Sequence, residues 1–243
     1  MKTTIKTGLA ALLILLAISC KKENSTIQSL PVTNKNTTDA ISDEVDGVTG
    51  KNSVKIGTQV WKIKNLNVSR YRNGDSIPQV KGKNAWAYLK TGAWCYYNND
   101  PATGAIYGKL YNWYAVNDPR GLAPVGWHVP SDAEWTALSN FLGGDAVAGG
   151  KMKSTGTIEA GTGLWYAPNA DATNSSGFTG LPGGNRYYDG TFSSISLYGT
   201  WWSSTENGSD YAWFRYLSYD GGSIKKEDYL SKNYGLSIRC LKD

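Results

Sequence analysis

The stretch GWHVPSDAEW, residues 126–135, holds the only histidine of the chain. His128 stands close to Ser131, Asp132 and Glu134, so the stretch reads either as a serine–histidine–acid centre or as the opening of a helix. The spacing favours the helix. Ser131 is a good N-cap, and Glu134 completes a capping box: the hydroxyl accepts from the N3 amide and the carboxylate accepts from the cap amide. Pro130 and Trp135 occupy the N′ and N4 positions of a hydrophobic staple. Trp135, Leu138, Phe141 and Leu142 recur at helical spacing and predict one apolar face. Gly143 and Gly144 follow, as a left-handed C-terminal cap requires. A catalytic triad needs the imidazole between nucleophile and carboxylate. Here Ser131 and Glu134 are committed to each other, and the chain has no GxSxG elbow. His128 is expected to pack in the loop with one ring nitrogen hydrogen-bonded.

Around this helix the chain reads as short strands with turn punctuation. VKIGTQVWKIKNL, 54–66, has two strand-like runs about Gly57. Asn73-Gly74 and Asp189-Gly190 are tight hairpin turns, since these residues tolerate positive φ. DYAWFRYLSYDGGSIKKEDYL, 210–230, alternates large residues, turns at Asp220-Gly221-Gly222 and returns. YGLSIRCLK, 234–242, alternates and predicts a core strand. GKLYNWYAV, 108–116, fits a second helix or a strand. The Asn-Asp-Pro elements at 99–101 and 117–119 read as turns, because Asn and Asp bond their own backbone and Pro fixes φ. They lack the ligand comb of a calcium loop.

The N-terminus has a different character. MKTTIK is basic, and GLAALLILLAIS, 8–19, is apolar but shorter than the ~20 residues a membrane-spanning helix needs. Together they read as a secretory signal peptide, residues 1–19. LAIS-C resembles a bacterial lipobox, which implies cleavage before Cys20 and its lipidation; the alternative is an ordinary leader with an incidental cysteine. Residues 20–53, polar and without aromatics, read as a flexible lipidated tether. Lys21 after Cys20 resembles outer-membrane lipoproteins, so the expected location is the outer membrane, on its periplasmic or cell-surface face.

Residues 54–243 suit a single domain. The formal charge of +5 is spread without a Lys/Arg cluster, which speaks against nucleic acid as a partner. Beyond Cys20, Cys95 and Cys240 form an even pair in an exported chain. A disulfide closing a loop of about 145 residues is expected, worth ~4–5 kcal/mol in the chain-entropy model; two buried free thiols are the alternative. No Cys/His spacing points to zinc and no glycine-rich phosphate loop is present, so neither metal nor cofactor is expected. The acids are scattered, with no marked pair for glycoside hydrolysis.

What remains is an aromatic surplus: ten Trp, sixteen Tyr and four Phe. Aromatic walls with a few placed polar groups make ligand pockets, although Trp and Tyr also pack loop-rich cores with their polar tips reaching water. The densest patches are GAWCYYNND at 92–100 and YGTWWSSTENGSDYAWFRY at 198–216, and the second gives the expected contact residues: Trp201, Trp202, Glu206, Asn207, Asp210, Trp213 and Arg215. The expected partners are a glycan or a surface protein, with the membrane reached through the lipid anchor.

Taken together, VKIGTQVWKIKNLNVSRYRNGDSIP, GAWCYYNNDPATGAIYGKLYNWYAV, RGLAPVGWHVPSDAEWTAL, NSSGFTGLPGGNRYYDGTF, YGTWWSSTEN and YGLSIRC resemble the Fibrobacter succinogenes major paralogous domain, a family of exported bacterial proteins, often lipoproteins. More distantly, WHVPSDAEW, WWSSTEN and GLSIRC are similar to formylglycine-generating and sulfatase-modifying domains. The resemblance implies an α+β, C-type-lectin-like fold: short antiparallel strands and hairpins, one or two helices, many loops. It carries no copper ligand or catalytic cysteine onto this chain. An exported binding domain is the leading expectation, with an enzyme related to the formylglycine-generating fold and a structural envelope protein as alternatives.

Overall fold

A computed structural model describes residues 52–243; the expected signal peptide, Cys20 and nearly all of the expected tether lie outside the described residues. The elements run β1 (Ser53–Ile56), β2 (Gln59–Lys62), α1 (Lys83–Ala87), β3 (Trp94–Cys95), α2 (Pro101–Tyr107), β4 (Leu110–Tyr111), α3 (Trp113–Val116), β5 (Trp127–His128), α4 (Asp132–Phe141), α5 (Asp145–Met152), β6 (Gly183–Arg186), β7 (Phe192–Ile195), β8 (Tyr198–Asn207), β9 (Tyr211–Ser218), β10 (Ile224–Ser231) and β11 (Leu241–Lys242). They form an α+β arrangement of small antiparallel sheets. One has the strand order β1-β2-β11-β5, one the order β10-β9-β8, and two are the pairs β3-β4 and β6-β7. Among the described residues no helix is long and apolar enough to cross a membrane.

Helix α4 starts and stops as its sequence dictates. The Ser131 hydroxyl accepts from the Glu134 amide at 3.3 Å, and the Glu134 carboxylate accepts from the Ser131 amide at 2.8 Å. At the other end the Gly143 and Gly144 amides donate to the carbonyls of Asn140 and Ser139, with Gly143 at φ +104°. This is the pair of bonds that closes a Schellman cap. Trp135, Leu138 and Leu142 are buried as expected, but Phe141 is 64% exposed. Its ring lies across Gly57 in the β1–β2 turn, where a Cβ would meet it at 2.9 Å. Phe141 covers a turn instead of entering the core.

The segment after α4 forms a helix despite Gly149 and Gly150 at its centre. Both glycines are sites of backbone approach: a Cβ on Gly149 would stand 2.3 Å from the Ser223 carbonyl, and one on Gly150 2.5 Å from that of Asp171. The 108–116 region divides into strand β4 and helix α3, with the Asn112 side chain capping α3 by accepting from the Ala115 amide at 3.1 Å. The first Asn-Asp-Pro element, expected as a turn, opens α2: the Asp100 side chain accepts from the Ala102 amide at 2.9 Å, and Pro101 fills the first helical position, where its missing N–H costs nothing. The second is a turn closed by the Gly121 amide on the Asp118 carbonyl at 2.9 Å.

The C-terminal segment is buried from Gly235 to Leu241, yet only its end is a regular strand. It runs between the small sheets and joins them through bridges to Arg186, Tyr111 and Trp201. Trp61, Trp135, Phe178 and Trp201 form an aromatic cluster beneath it, with Trp61 and Trp135 centroids 4.8 Å apart and Phe178 and Trp201 5.8 Å apart. Arg239 lies fully buried over Phe178 at 4.3 Å. Its guanidinium donates to the carbonyls of Lys62, Ile63 and Phe178 and to the Asn65 side chain, so its five donors are matched by fixed acceptors.

The expected Cys95–Cys240 disulfide is not formed; both are free, buried thiols. Cys95 sits in a cluster with Trp86, Ala93 and Tyr97, whereas Cys240 packs in a different one with Tyr111, Trp202 and Ile238. Burial pushes both thiols up to about 12, although Arg186 near Cys95 and Arg239 near Cys240 pull the other way. Neither is the exposed, low-pKa thiolate that nucleophilic or redox chemistry requires.

Candidate functional site: a tyrosine groove

The three-stranded sheet decides where each aromatic residue points. Successive side chains on a strand face opposite sides, and the register places Thr200 opposite Tyr216, Trp202 opposite Phe214 and Trp201 opposite Arg215. On one face Trp201, Leu217 and Ile224 enter the core that α4 and α5 cover. On the other face stand Tyr198, Thr200, Phe214 and Tyr216.

Of the contact surface expected from 198–216, Trp201, Trp202 and Arg215 are corrected, because all three are buried. Trp201 and Trp202 are 0% exposed, and their indole nitrogens donate to Asn65 Oδ1 and to the Tyr111 carbonyl, both at 2.9 Å. Neither offers a ring face or a donor to a ligand. Arg215 is also buried; it pairs with Asp132 at 2.7 Å and donates to Thr136 Oγ1 at 2.9 Å, which ties β9 to the start of α4. Trp213 is half-buried, with the Lys226 ammonium 4.5 Å over its ring. Glu206, Asn207 and Asp210 sit exposed at the β8–β9 tip. There Lys232 donates to Glu206 and to the carbonyls of Gly208 and Ser209, while Asn207 bonds the Asp228 carbonyl. Six of the seven residues divide among two cores, a helix contact and a stapled turn, and Trp213 stands apart beneath Lys226.

On the open face of the same sheet lies a groove of about 290 Å³ lined by five tyrosines (Tyr187, Tyr198, Tyr216, Tyr229 and Tyr234), with Phe214 and Leu236. Phe214 and Tyr216 lie side by side on β9, with interplanar angle 20° and centroids 5.9 Å apart, and they form a floor. Tyr198 stands perpendicular to Tyr216 at 5.8 Å, and Tyr229 perpendicular to Phe214 at 6.3 Å, as two walls. Tyr234 closes one end against Tyr187 at 5.3 Å. Tyr229 is 61% exposed.

The polar groups of the groove come from Asn185, Ser194 and Thr200. Thr200 is committed, donating to the Gly184 carbonyl at 2.9 Å. Ser194 adopts φ +70°, a left-handed conformation that costs a non-glycine residue energy and clusters at functional sites. Gly184 (φ +63°), where a Cβ would stand 2.6 Å from the Ile195 amide, lets the β6–β7 hairpin close this tightly. Asn185 keeps a buried Oδ1 with no partner in the fold. Burial, and then the nearby carboxylates and phenols, raise Tyr216 and hold Tyr234 up at about 12. Both hydroxyls therefore remain protonated donors at neutral pH.

His128, instead of making one hydrogen bond, is held on both sides: Nδ1 lies 2.8 Å from Asp243 Oδ1 and Nε2 3.0 Å from Glu134 Oε1. Burial lowers its pKa, but the two carboxylates outweigh burial and the net shift is upward. Ser131 Oγ bonds the other Glu134 oxygen at 2.8 Å, so no serine nucleophile faces the imidazole. The buried Lys153 ammonium donates to the carbonyls of Ala170, Ser218 and Gly221, which makes it a cross-link between loops. Among the described residues no cluster of three His, Cys, Asp or Glu side chains could hold a metal ion.

Sequence reasoning missed the groove because its tyrosines come from separate hairpins between residues 187 and 234. The available signal was register: Tyr198 and Thr200 on β8 face the same side as Phe214 and Tyr216 on β9 once the two strands are paired. No curated protein and no solved structure matches the chain. The Fibrobacter succinogenes major domain matches residues 54–242, and the chain belongs to that family.

Proposed function

We propose that this chain is an exported outer-membrane lipoprotein, anchored through Cys20 and a flexible tether, whose C-type-lectin-like domain binds a glycan in the tyrosine groove. The anchor rests on the basic start, the short apolar run and the lipobox-like LAIS-C. The lectin-like reading of the α+β fold rests on the similarity of WHVPSDAEW and GLSIRC to that superfamily.

The single observation that carries the binding role is the convergence of five tyrosines on an open face of β8–β9–β10. Tyr187, Tyr198 and Tyr229 belong to none of the three buried clusters, while Tyr216 and Tyr234 pack against the edge of one of them. Perpendicular aromatic walls over an aromatic floor suit the apolar face of a sugar ring, and phenolic hydroxyls at the rim suit its hydroxyls. Pockets of this type combine apolar walls with few, placed polar groups.

A glycan array probed with the parent domain and with a Tyr198→Ala/Tyr229→Ala double variant tests this reading. Glycan signals from the parent that fall at least tenfold in the folded variant support it. A parent that binds no glycan, or a variant that binds equally, overturns it. Protease shaving of intact cells tests the location: release of tether peptides places the domain on the cell surface.

A further inference from the structure

We infer that the groove takes glycans that carry free amino groups, whose ammonium meets the tyrosine rings and the Glu227 carboxylate. The inference rests on the glycan reading and narrows it to a chemical class.

Elsewhere in the molecule the aromatic clusters have cations of their own. Lys109 lies over Trp94 at 4.3 Å, Arg186 over Trp86 at 4.4 Å, Lys232 over Trp113 at 4.6 Å and Arg239 over Phe178 at 4.3 Å. Among the described residues no lysine or arginine lies over Phe214 or over any of the five groove tyrosines. An aromatic face is negative at its centre and attracts a cation, and aromatic cages hold ammonium ligands in this way. The groove rings keep that capacity for a ligand.

The charges at the border complete the argument. On β10, Glu227 stands opposite Phe214 on the groove face and is half-buried. Among the described residues its carboxylate takes part in no ion pair. Burial raises the Tyr216 phenol, and the Glu227 carboxylate is the next cause, with Asp220 acting in the same sense. Lys225, opposite Tyr216, is the opposing charge, but it is exposed and its flexible stem lets the ammonium stay in water. Asp189, beside the Tyr234 end, is shared with Lys83 at 3.5 Å. A ligand ammonium next to Glu227 therefore gains an unpaired carboxylate, and in an open trough it keeps part of its hydration.

A sugar ring laid on the Phe214–Tyr216 floor turns its edge substituents toward the perpendicular walls, Tyr198 and Tyr229. Tyr229 follows Glu227 on β10 by two residues, so an amino group at that edge meets a ring and a carboxylate together. A hydroxyl or an acetamido group at the same position brings no charge to either.

Isothermal titration of the full chain tests the inference with the hexasaccharides of chitosan, chitin and cellulose. These share a backbone and differ in carrying an amine, an acetamide or a hydroxyl at one ring position. Hexalysine serves as a cation that is not a sugar. The chitosan hexasaccharide is expected to bind about tenfold tighter than the other two, and more weakly as salt is raised. Glu227→Gln should remove most of that preference and Lys225→Ala should increase it, both with an unchanged melting temperature. Equal affinity for the three saccharides, or tighter binding of chitin or cellulose, would overturn the inference while leaving the glycan groove intact. An unchanged preference in Glu227→Gln would overturn the role of Glu227. Hexalysine binding as tightly as the chitosan hexasaccharide would overturn the sugar requirement, because charge alone would then suffice. Binding of hexalysine alone, or of no probe, would overturn both this inference and the glycan reading.

Discussion

Both faces of the β8–β9–β10 sheet carry aromatic residues, and they use them differently. One face carries Trp201 into a closed cluster with Trp135 and Phe178 under α4 and α5. The other buries Trp202 in a second cluster and carries Tyr198 and Tyr216, beside Phe214, to an open trough. The difference lies in what packs above each face, and residue type follows it. Covered positions on either face take indoles whose single N–H finds an internal acceptor, as Trp201 does on Asn65 and Trp202 on the Tyr111 carbonyl. The open face takes phenols, whose hydroxyls can stay wet. An aromatic-rich sequence thus marks a binding surface only where the fold leaves it uncovered.

The largest effect should come from breaking the covered face. Trp201→Ala removes a fully buried indole and leaves a cavity among packed rings, so unfolding free energy should fall by ~3–5 kcal/mol. Tyr229→Ala, on the open face, should change it by less than ~0.5 kcal/mol. Chemical denaturation of both variants checks the contrast; similar losses would mean that the groove tyrosines are core. Next in size is Gly149→Ala. In an exposed helix interior this change stabilises by ~1 kcal/mol, but here the new Cβ would press on the Ser223 carbonyl at 2.3 Å. A loss of ~1–3 kcal/mol is expected, and a rise in melting temperature would show that α5 does not clamp the β9–β10 turn. Ser131→Ala should cost ~1 kcal/mol through the lost cap, with no effect on ligand binding, because the cap stands on the covered side of the sheet.

The smallest effect is pH-dependent. His128 is raised above its ordinary 6.5, so its contribution is full below that value and is lost as pH rises through the folded pKa. Glu134 is lowered from 4.5: burial pushes it up, but the bonds from Ser131 and His128 outweigh burial. Its contribution is present above 4.5 and is lost as pH falls through the folded value. Melting temperature should peak between these limits and decline on the alkaline side, by a modest amount because the cluster is part-exposed and screened. His128→Gln should remove the alkaline decline; an unchanged profile would exclude His128 as its source.

Much of the fold was legible where the signal is local. The Ser131–Glu134 box, the Gly143–Gly144 cap and the hairpins at Gly57, Asp189-Gly190 and Asp220–Gly222 each follow from residues within a few positions of one another. Failures came where distant chain segments decide. Gly149 and Gly150 look like helix breakers until Ser223 and Asp171 are seen against them. Phe141 has the spacing of a core residue but covers Gly57. The adjacent Trp201 and Trp202 read as one patch, whereas neighbours on a strand point to opposite faces and here both are covered. Cys95 and Cys240 are an even pair by count but belong to different clusters. The groove was least legible, because only strand pairing brings residues 185–236 to one face.

Under the proposed function, ligand contact lies with the exposed tyrosines of the groove and not with Trp213 on the other face of the sheet. Titration of the tightest-binding hexasaccharide into Tyr229→Ala and Trp213→Ala, each verified as folded, tests it most directly. At least tenfold weaker binding by Tyr229→Ala and parental affinity for Trp213→Ala are expected. Loss of binding in Trp213→Ala with Tyr229→Ala unaffected would contradict it.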